Sequence, residues 1–150
     1  MCADLNPCEL MLRSLRGATL RQLKQPAQGV WEFDFERAGL NLTCPWRIVQ
    51  DGSIILAASD HAQKFGLPAP VDVFEKTLEH LGAELVQSVE IDAETSDLYI
   101  SFSGGKRIDA FNDSSGYEGW NYRDREGVML VAMGGGQLAI WDCRRSKQAD

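Results

Sequence analysis

Residues 114–120 combine more reactive and interface-forming side chains than any other short segment of the chain. They read Ser-Ser-Gly-Tyr-Glu-Gly-Trp, with two hydroxyls, a carboxylate and two aromatic rings ahead of a predicted strand. Tyrosine and tryptophan give large contact areas with a polar group, which is typical of interfaces. The alternative is a corner in which Tyr117 and Trp120 anchor the loop to the core while the serines bind backbone groups. The sequence leaves both interpretations open.

Asp60 and His61 are the second candidate for chemistry, because a carboxylate beside an imidazole is suited to acid–base work. A ligand-binding or hydrolytic pocket would need five residues to converge: Asp60, His61, Ser114, Ser115 and Glu118. The chain has no Gly-x-Ser-x-Gly motif to expose a nucleophilic serine. Adjacent residues in an extended chain point apart, so a loop held by a bond from Asp60 to the backbone is favoured.

The cysteine and histidine spacing predicts no metal and no cofactor. The four cysteines are Cys2, Cys8, Cys44 and Cys143. They show neither the Cys-x-x-Cys spacing of metal and redox sites nor a dense disulfide framework. Cys44 and Cys143 lie in apolar, strand-like runs, which predicts two buried free thiols. The three glycines at 134–136 precede a strand and not a helix, so they indicate a hairpin turn and not a phosphate-binding loop.

Negative charge is concentrated in one part of the sequence. The net charge is −7, and residues 72–97 hold eight acids against the single base Lys76. The acids are Asp72, Glu75, Glu79, Glu84, Glu90, Asp92, Glu94 and Asp97. Such a surface repels phosphate backbones, so nucleic-acid binding is not expected, whereas a basic protein would be attracted. The alternative is a solvated face that keeps the protein soluble.

Length and composition favour one globular domain over residues 1–150, with 1–4 and 144–150 frayed. The chain has 150 residues, of which 44% are hydrophobic, and no apolar run approaches the roughly 18 residues of a membrane span. The first residues lack a basic-then-apolar leader, which predicts a cytoplasmic protein without membrane association.

The pattern of elements predicts an α+β fold, mostly an antiparallel β-sheet meander with a short N-terminal helix. Asn6 and Pro7 are suited to the N-cap and first position of that helix. A second, amphipathic helix is expected at about 71–81, packed on the sheet, with a buried stripe of Val71, Phe74, Leu78 and Leu81. Eight to ten strands joined by short turns account for most of the rest.

Several segments between residues 17 and 142 together resemble a family of small bacterial proteins of unknown function. The resemblance depends on the order and spacing of Trp46-Arg47-Ile48, Ser59-Asp60-His61 and the 114–120 segment. Proteins of this kind are similar to immunity-type proteins encoded near secreted toxins. The resemblance implies no catalytic residue, and the N-terminal helix lies outside it.

We therefore expect a cytosolic binding protein without catalytic activity, acting as an immunity-like inhibitor of a basic, toxin-like protein. The expected partner surface comprises Glu75, Glu79, Glu84, Glu90, Asp92, Tyr117, Glu118 and Trp120. The pocket of Asp60, His61, Ser114, Ser115 and Glu118 is the alternative. A third hypothesis is a homodimer built on an exposed strand edge.

Overall fold

The computed structural model describes residues 6–143, so the ends expected to fray, 1–4 and 144–150, lie outside the described residues. Two α-helices are present, α1 (Pro7–Leu15) and α2 (Val73–Leu81). The strands of the first half are β1 (Gln22–Ala27), β2 (Val30–Asp34), β3 (Ala38–Leu42), β4 (Trp46–Gln50) and β5 (Ser53–Ala57). Those of the second half are β6 (Val86–Ile91), β7 (Leu98–Phe102), β8 (Lys106–Ala110), β9 (Trp120–Asp124), β10 (Val128–Ala132) and β11 (Leu138–Asp142).

The strands form two antiparallel sheets, which confirms the predicted α+β class. Sheet A has the order β1-β2-β3-β9-β10-β11, and sheet B has the order β5-β4-β8-β7-β6. The chain moves from sheet A to sheet B between β3 and β4 and returns between β8 and β9. The strands therefore do not form one continuous meander, because β3 pairs with β9 and β4 pairs with β8.

An aromatic core joins the two sheets. Side chains alternate along β2 and β3, so every second residue is buried. Trp31 and Phe33 of sheet A meet Trp46 of sheet B edge-on, with ring centroids 5.4 and 5.0 Å apart. Phe35 and Phe102 stack across the same interface at 6.3 Å. Edge-on and offset ring pairs add to the stability that burial alone provides.

The two helices cover opposite sides of this sandwich. Helix α1 packs along β6 and β10, and α2 packs along β1 and β5. Asn6 caps α1 as predicted, since its Oδ1 accepts the N–H of Cys8 at 2.9 Å. Among the described residues, no helix combines the length and apolar character required to cross a membrane.

Helix α2 begins two residues later than predicted. Asp72 is its N-cap, and its Oδ1 accepts the N–H groups of Phe74 and Glu75 at 3.0 and 3.2 Å. The fully buried side chains are Val73, Thr77 and Leu81, spaced four residues apart. Of the predicted stripe, Leu81 is fully buried, while Val71, Phe74 and Leu78 are partly buried and pack against the core, so the buried face is centred on Val73, Thr77 and Leu81.

The strand register shows which loops lie at the same end of the sandwich, because paired residues at strand ends lie side by side. In sheet B, Leu98 pairs with both Ile91 and Ala110. In sheet A, Trp120 pairs with both Leu42 and Ala132. The loops that extend from these strand ends are 28–29, 43–45, 58–72, 92–97, 111–119 and 133–137, and together they are called the loop end.

Candidate functional site

The 114–120 segment is a tight corner with one exposed aromatic ring. The Oγ of Ser114 accepts the N–H groups of Gly116 and Tyr117 at 3.1 and 2.9 Å. Trp120 is completely buried, whereas Tyr117 is 83% exposed. The corner interpretation therefore describes Ser114 and Trp120 but not Tyr117, which is not anchored in the core. Trp120 is inaccessible to a partner in this conformation and does not belong to the surface.

Asn112 links three segments of the loop end. Its Nδ2 donates to the carbonyl oxygens of Thr95 and Met133 at 2.9 and 3.0 Å, and its N–H donates to Asp97 Oδ1 at 2.9 Å. Thr95 and Asp97 lie between β6 and β7, and Met133 begins the turn between β10 and β11. One asparagine therefore holds loops of both sheets together.

The three glycines at 134–136 form the predicted hairpin turn, closed by the N–H of Met133 donating to Gln137 O at 2.7 Å. They also permit close contact with neighbouring loops. A Cβ at Gly134 would lie 2.4 Å from the carbonyl carbon of Gly116, and one at Gly136 would lie 2.3 Å from Glu94 O. Larger residues at these two positions would push the loops of the two sheets apart.

The loop end carries most of the net charge of the protein. Seven carboxylates lie there against one lysine, Lys64. The carboxylates are those of Asp60, Asp72, Asp92, Glu94, Asp97, Asp113 and Glu118. The four that accept backbone N–H groups and shape the loops are Asp60, Asp72, Asp92 and Asp97. Glu94, Asp113 and Glu118 are exposed, and their carboxylates bond to none of residues 6–143.

Asp92 shows how the backbone favours the charged form of these acids. Its Oδ1 accepts the N–H groups of Thr95 and Glu94, both at 2.9 Å. These bonds, with that from Thr95 contributing most, lower the pKa of Asp92 below its ordinary value of 3.8. The carboxylate is therefore ionised at every physiological pH.

Residues 72–97 do not form a single acidic zone, so that expectation is wrong. Glu75 and Glu79 lie on α2, where Glu79 pairs with Lys76 at 3.2 Å. Glu84 lies at the end of β6 remote from the loop end and pairs with Lys106 at 3.7 Å. The six residues of β6 separate Glu84 from Asp92 at the loop end by about 20 Å, which exceeds the Debye length at physiological salt.

His61 supports the start of α2. Its Nδ1 accepts the N–H of Val73 at 3.2 Å, and its ring contacts Phe74 and Trp31 at centroid distances of 5.2 and 6.1 Å. Asp60 Oδ2 accepts the N–H of Ala57 at 2.9 Å, the backbone bond that the sequence favours.

The remaining members of the alternative pocket make other contacts. Ser114 binds the backbone of its own turn, and Ser115 and Glu118 are exposed. Within residues 6–143, no hydrogen bond or ring contact connects His61 with any of these three. The same part of the chain holds no group of three or more His, Cys, Asp or Glu residues arranged to bind a metal.

Asp109 is a buried carboxylate that the sequence did not single out. It lies in β8 with no exposed side-chain surface, between the guanidinium groups of Arg47 and Arg107. Arg47 Nε donates to its Oδ2 at 3.0 Å, and Arg47 also lies over the ring of Phe111, 5.0 Å from the centroid. A residue two positions away on a strand shares its face, so Arg107-x-Asp109 was the signal that could have revealed the pair.

The burial of the cysteine thiols matches the prediction at Cys44 but not at Cys143. Cys44 is buried, as predicted, and burial raises its pKa to about 12. Cys143 is exposed, because it follows the end of the edge strand β11. The prediction of a buried Cys143 is wrong.

The fold and the loop end define a two-sheet α+β protein with an acidic loop surface from which one tyrosine projects. The chain belongs to DUF6188, a family of unknown function, whose model matches residues 11–142. The match begins inside α1, so the family includes part of the helix that the sequence resemblance left out. No curated protein and no solved structure matches the chain.

Proposed function

We propose that the protein is a non-catalytic binding protein whose loop end contacts a basic protein partner. The observation that carries the proposal is the composition of that end, whose loops hold seven carboxylates, one lysine and the exposed ring of Tyr117. Three of the carboxylates have no structural partner within residues 6–143 and are available to a ligand. Charge of one sign on one surface accelerates encounter with a partner of opposite charge.

The same end also offers apolar contact area. Phe65, Leu67, Tyr117 and Met133 are all large hydrophobic side chains exposed by 41–83%. Each belongs to a loop at this end of the sandwich. Aromatic and methionine side chains are enriched at the centres of interfaces, where they determine how long a complex lasts.

The finer proposal is inhibition in the manner of an immunity protein. A negatively charged surface that covers the cationic substrate-binding face of a toxin would block it sterically and electrostatically, and would require no reaction. The support for this step is the sequence resemblance to immunity-type proteins together with the charge of the loop end.

The test uses purified basic proteins encoded beside the gene, with association measured at about 20 and 300 mM salt. One variant neutralises the unpaired loop-end acids by Glu94→Gln, Asp113→Asn and Glu118→Gln. The matched control removes the same charge at the opposite end of the sandwich by Asp51→Asn, Glu79→Gln and Glu84→Gln. We expect association at low salt to slow about tenfold in the first variant and much less in the control.

Tyr117→Ala tests the contact itself. We expect it to leave the association rate unchanged and to raise the dissociation rate about tenfold, as for an aromatic residue central to an interface. Equal effects of the loop-end and control variants on association would refute a loop-end interface.

A further inference from the structure

A trough crosses the outer face of sheet A, the face turned away from the core. Its volume is about 430 Å³, which is within the range of small-molecule sites. The residues that form its sides and floor are Glu32, Asp34, Gly39, Asn41, Asn121 and Arg123. Arg37 and Arg125 lie at the end of the trough remote from the loop end.

Gly39 provides the open floor of the trough. It pairs with Asp34 on one side and Arg123 on the other, so the backbones of those two residues lie about 10 Å apart. Its φ is not positive, and a Cβ at this position would meet no atom within 4 Å. Neither backbone conformation nor packing therefore requires glycine in this strand, where it lowers stability. Because Gly39 has no side chain, the space between Asp34 and Arg123 stays unfilled.

The two sides of the trough carry opposite charge. Glu32 and Asp34 project from β2, and Asp34 uses only Oδ1 internally, to accept the N–H of Glu36 at 2.8 Å. Arg123 projects from β9 on the opposite side and makes no ion pair with another residue of 6–143. The strands hold these unlike charges apart with an empty space between them.

Two asparagine amides lie beside Gly39. Asn41 Nδ2 donates to Asn121 Oδ1 at 3.3 Å, and the two residues are paired across β3 and β9. This bond leaves the Asn41 Oδ1 acceptor and the Asn121 Nδ2 donor without a partner among the described residues. One acceptor and one donor side by side match the N–H and C=O of a peptide group.

We propose that the trough binds a short peptide, with its amino group against Asp34, its carboxylate against Arg123 and a peptide group on the asparagine pair. Three residues in extended conformation span about 10 Å, which equals the spacing across Gly39. Arginine binds carboxylates through two parallel hydrogen bonds, which fixes the orientation of the peptide. The site is independent of the proposed contact at the loop end.

The experiment is an NMR titration of the full chain with triglycine, the simplest peptide of this length. We expect the Gly39 amide and the side-chain amides of Asn41 and Asn121 to shift with saturation below about 10 mM. N-acetyl-triglycine lacks the cationic group and triglycine amide lacks the anionic one. Each should bind at least fivefold more weakly than triglycine.

Gly39→Val separates binding from stability. Valine favours strands, so the variant should keep or raise the melting temperature while it fills the trough and lowers triglycine affinity at least tenfold. Arg123→Gln should weaken triglycine but leave triglycine amide unchanged, and Arg13→Gln on α1 serves as the matched control. The proposal is overturned if triglycine leaves the trough resonances unshifted at about 20 mM, or if Gly39→Val or Arg123→Gln binds it like the unmodified protein.

Discussion

Trp120 Nε1 donates a buried hydrogen bond of 2.7 Å to the carbonyl oxygen of Ser96. Trp120 begins a strand of sheet A, whereas Ser96 lies in the turn between two strands of sheet B. The bond therefore connects the acidic 92–97 loop of sheet B to a core side chain of sheet A. Ser96 itself donates to Gly136 O at 2.6 Å, so the β10–β11 turn joins the same chain of bonds.

Replacing Trp120 with phenylalanine tests the importance of this bond. We expect Trp120→Phe to lower the free energy of unfolding by about 2–4 kcal/mol, because the buried Ser96 carbonyl loses a donor and the smaller ring leaves a cavity. Urea denaturation measures the change. Trp141→Phe is the control, since Trp141 is half exposed on the edge strand, and it should change stability by less than about 0.5 kcal/mol. Equal losses would contradict the assigned role.

The buried carboxylate of Asp109 makes a prediction about the two arginines beside it. Asp109→Ala should cost about 3 kcal/mol, because three charge-assisted hydrogen bonds are lost and a cavity is left at a fully buried position. Arg47→Ala should cost clearly less, because Asp109 keeps its bonds to Arg107. Thermal and urea unfolding of the two variants provide the comparison. If Arg47→Ala were as costly as Asp109→Ala, the carboxylate would not be shared in this way.

The lowered pKa of Asp92 predicts a specific pH dependence of stability. A carboxyl group with a lower pKa in the folded state stabilises the fold above its unfolded pKa, near 3.8, and loses that contribution as pH falls through the folded value. Asp92→Ala should therefore differ from the unmodified protein at pH 7 and converge with it as pH falls from 3.8 through the lowered pKa of Asp92. Asp92→Asn keeps an acceptor without the titration, so its melting temperature should vary less over this range. A constant difference between Asp92→Ala and the unmodified protein from pH 7 to 2 would rule out the ionised cap.

The exposed and buried thiols should react at very different rates. In a variant that retains only Cys44 and Cys143, we expect one equivalent of a disulfide reagent to react quickly at pH 8. Cys143 is the fast thiol, while burial and a pKa of about 12 protect Cys44 until the protein unfolds. Adding denaturant should release the second equivalent. Rapid reaction of both thiols under native conditions would contradict the burial of Cys44.

Local features were predictable from the sequence because their causes are local. The Asn6 cap, the proline after it and the hairpin turn at 134–136 depend on residues within five positions of one another. The division into two sheets depends on pairs such as Asn41 with Asn121, which are 80 positions apart. No periodicity within one strand specifies such a partner.

The candidate site was only partly predictable for the same reason. Tyr117 and Trp120 are both large aromatic residues that carry a polar group, and they lie three positions apart. Nevertheless, Tyr117 is exposed, whereas Trp120 is buried in the core. Their difference arises because Trp120 pairs with Leu42 on the inner face of sheet A, while Tyr117 occupies the preceding turn. The distribution of acidic residues shows the same dependence on the fold. Glu84 and Asp92 are close in sequence but are separated by β6, whereas acids from distant segments of the chain meet at the loop end.

The links that Asn112 makes between loops also affect the thermodynamics of association. Segments fixed by internal hydrogen bonds have little conformational freedom left to lose when another molecule docks. A complex at this end should therefore form as a nearly rigid body, with small backbone shifts and a heat-capacity change that reflects buried surface alone. Asn112→Ala would make the same surface adaptable and so convert rapid docking into a slower process of coupled ordering.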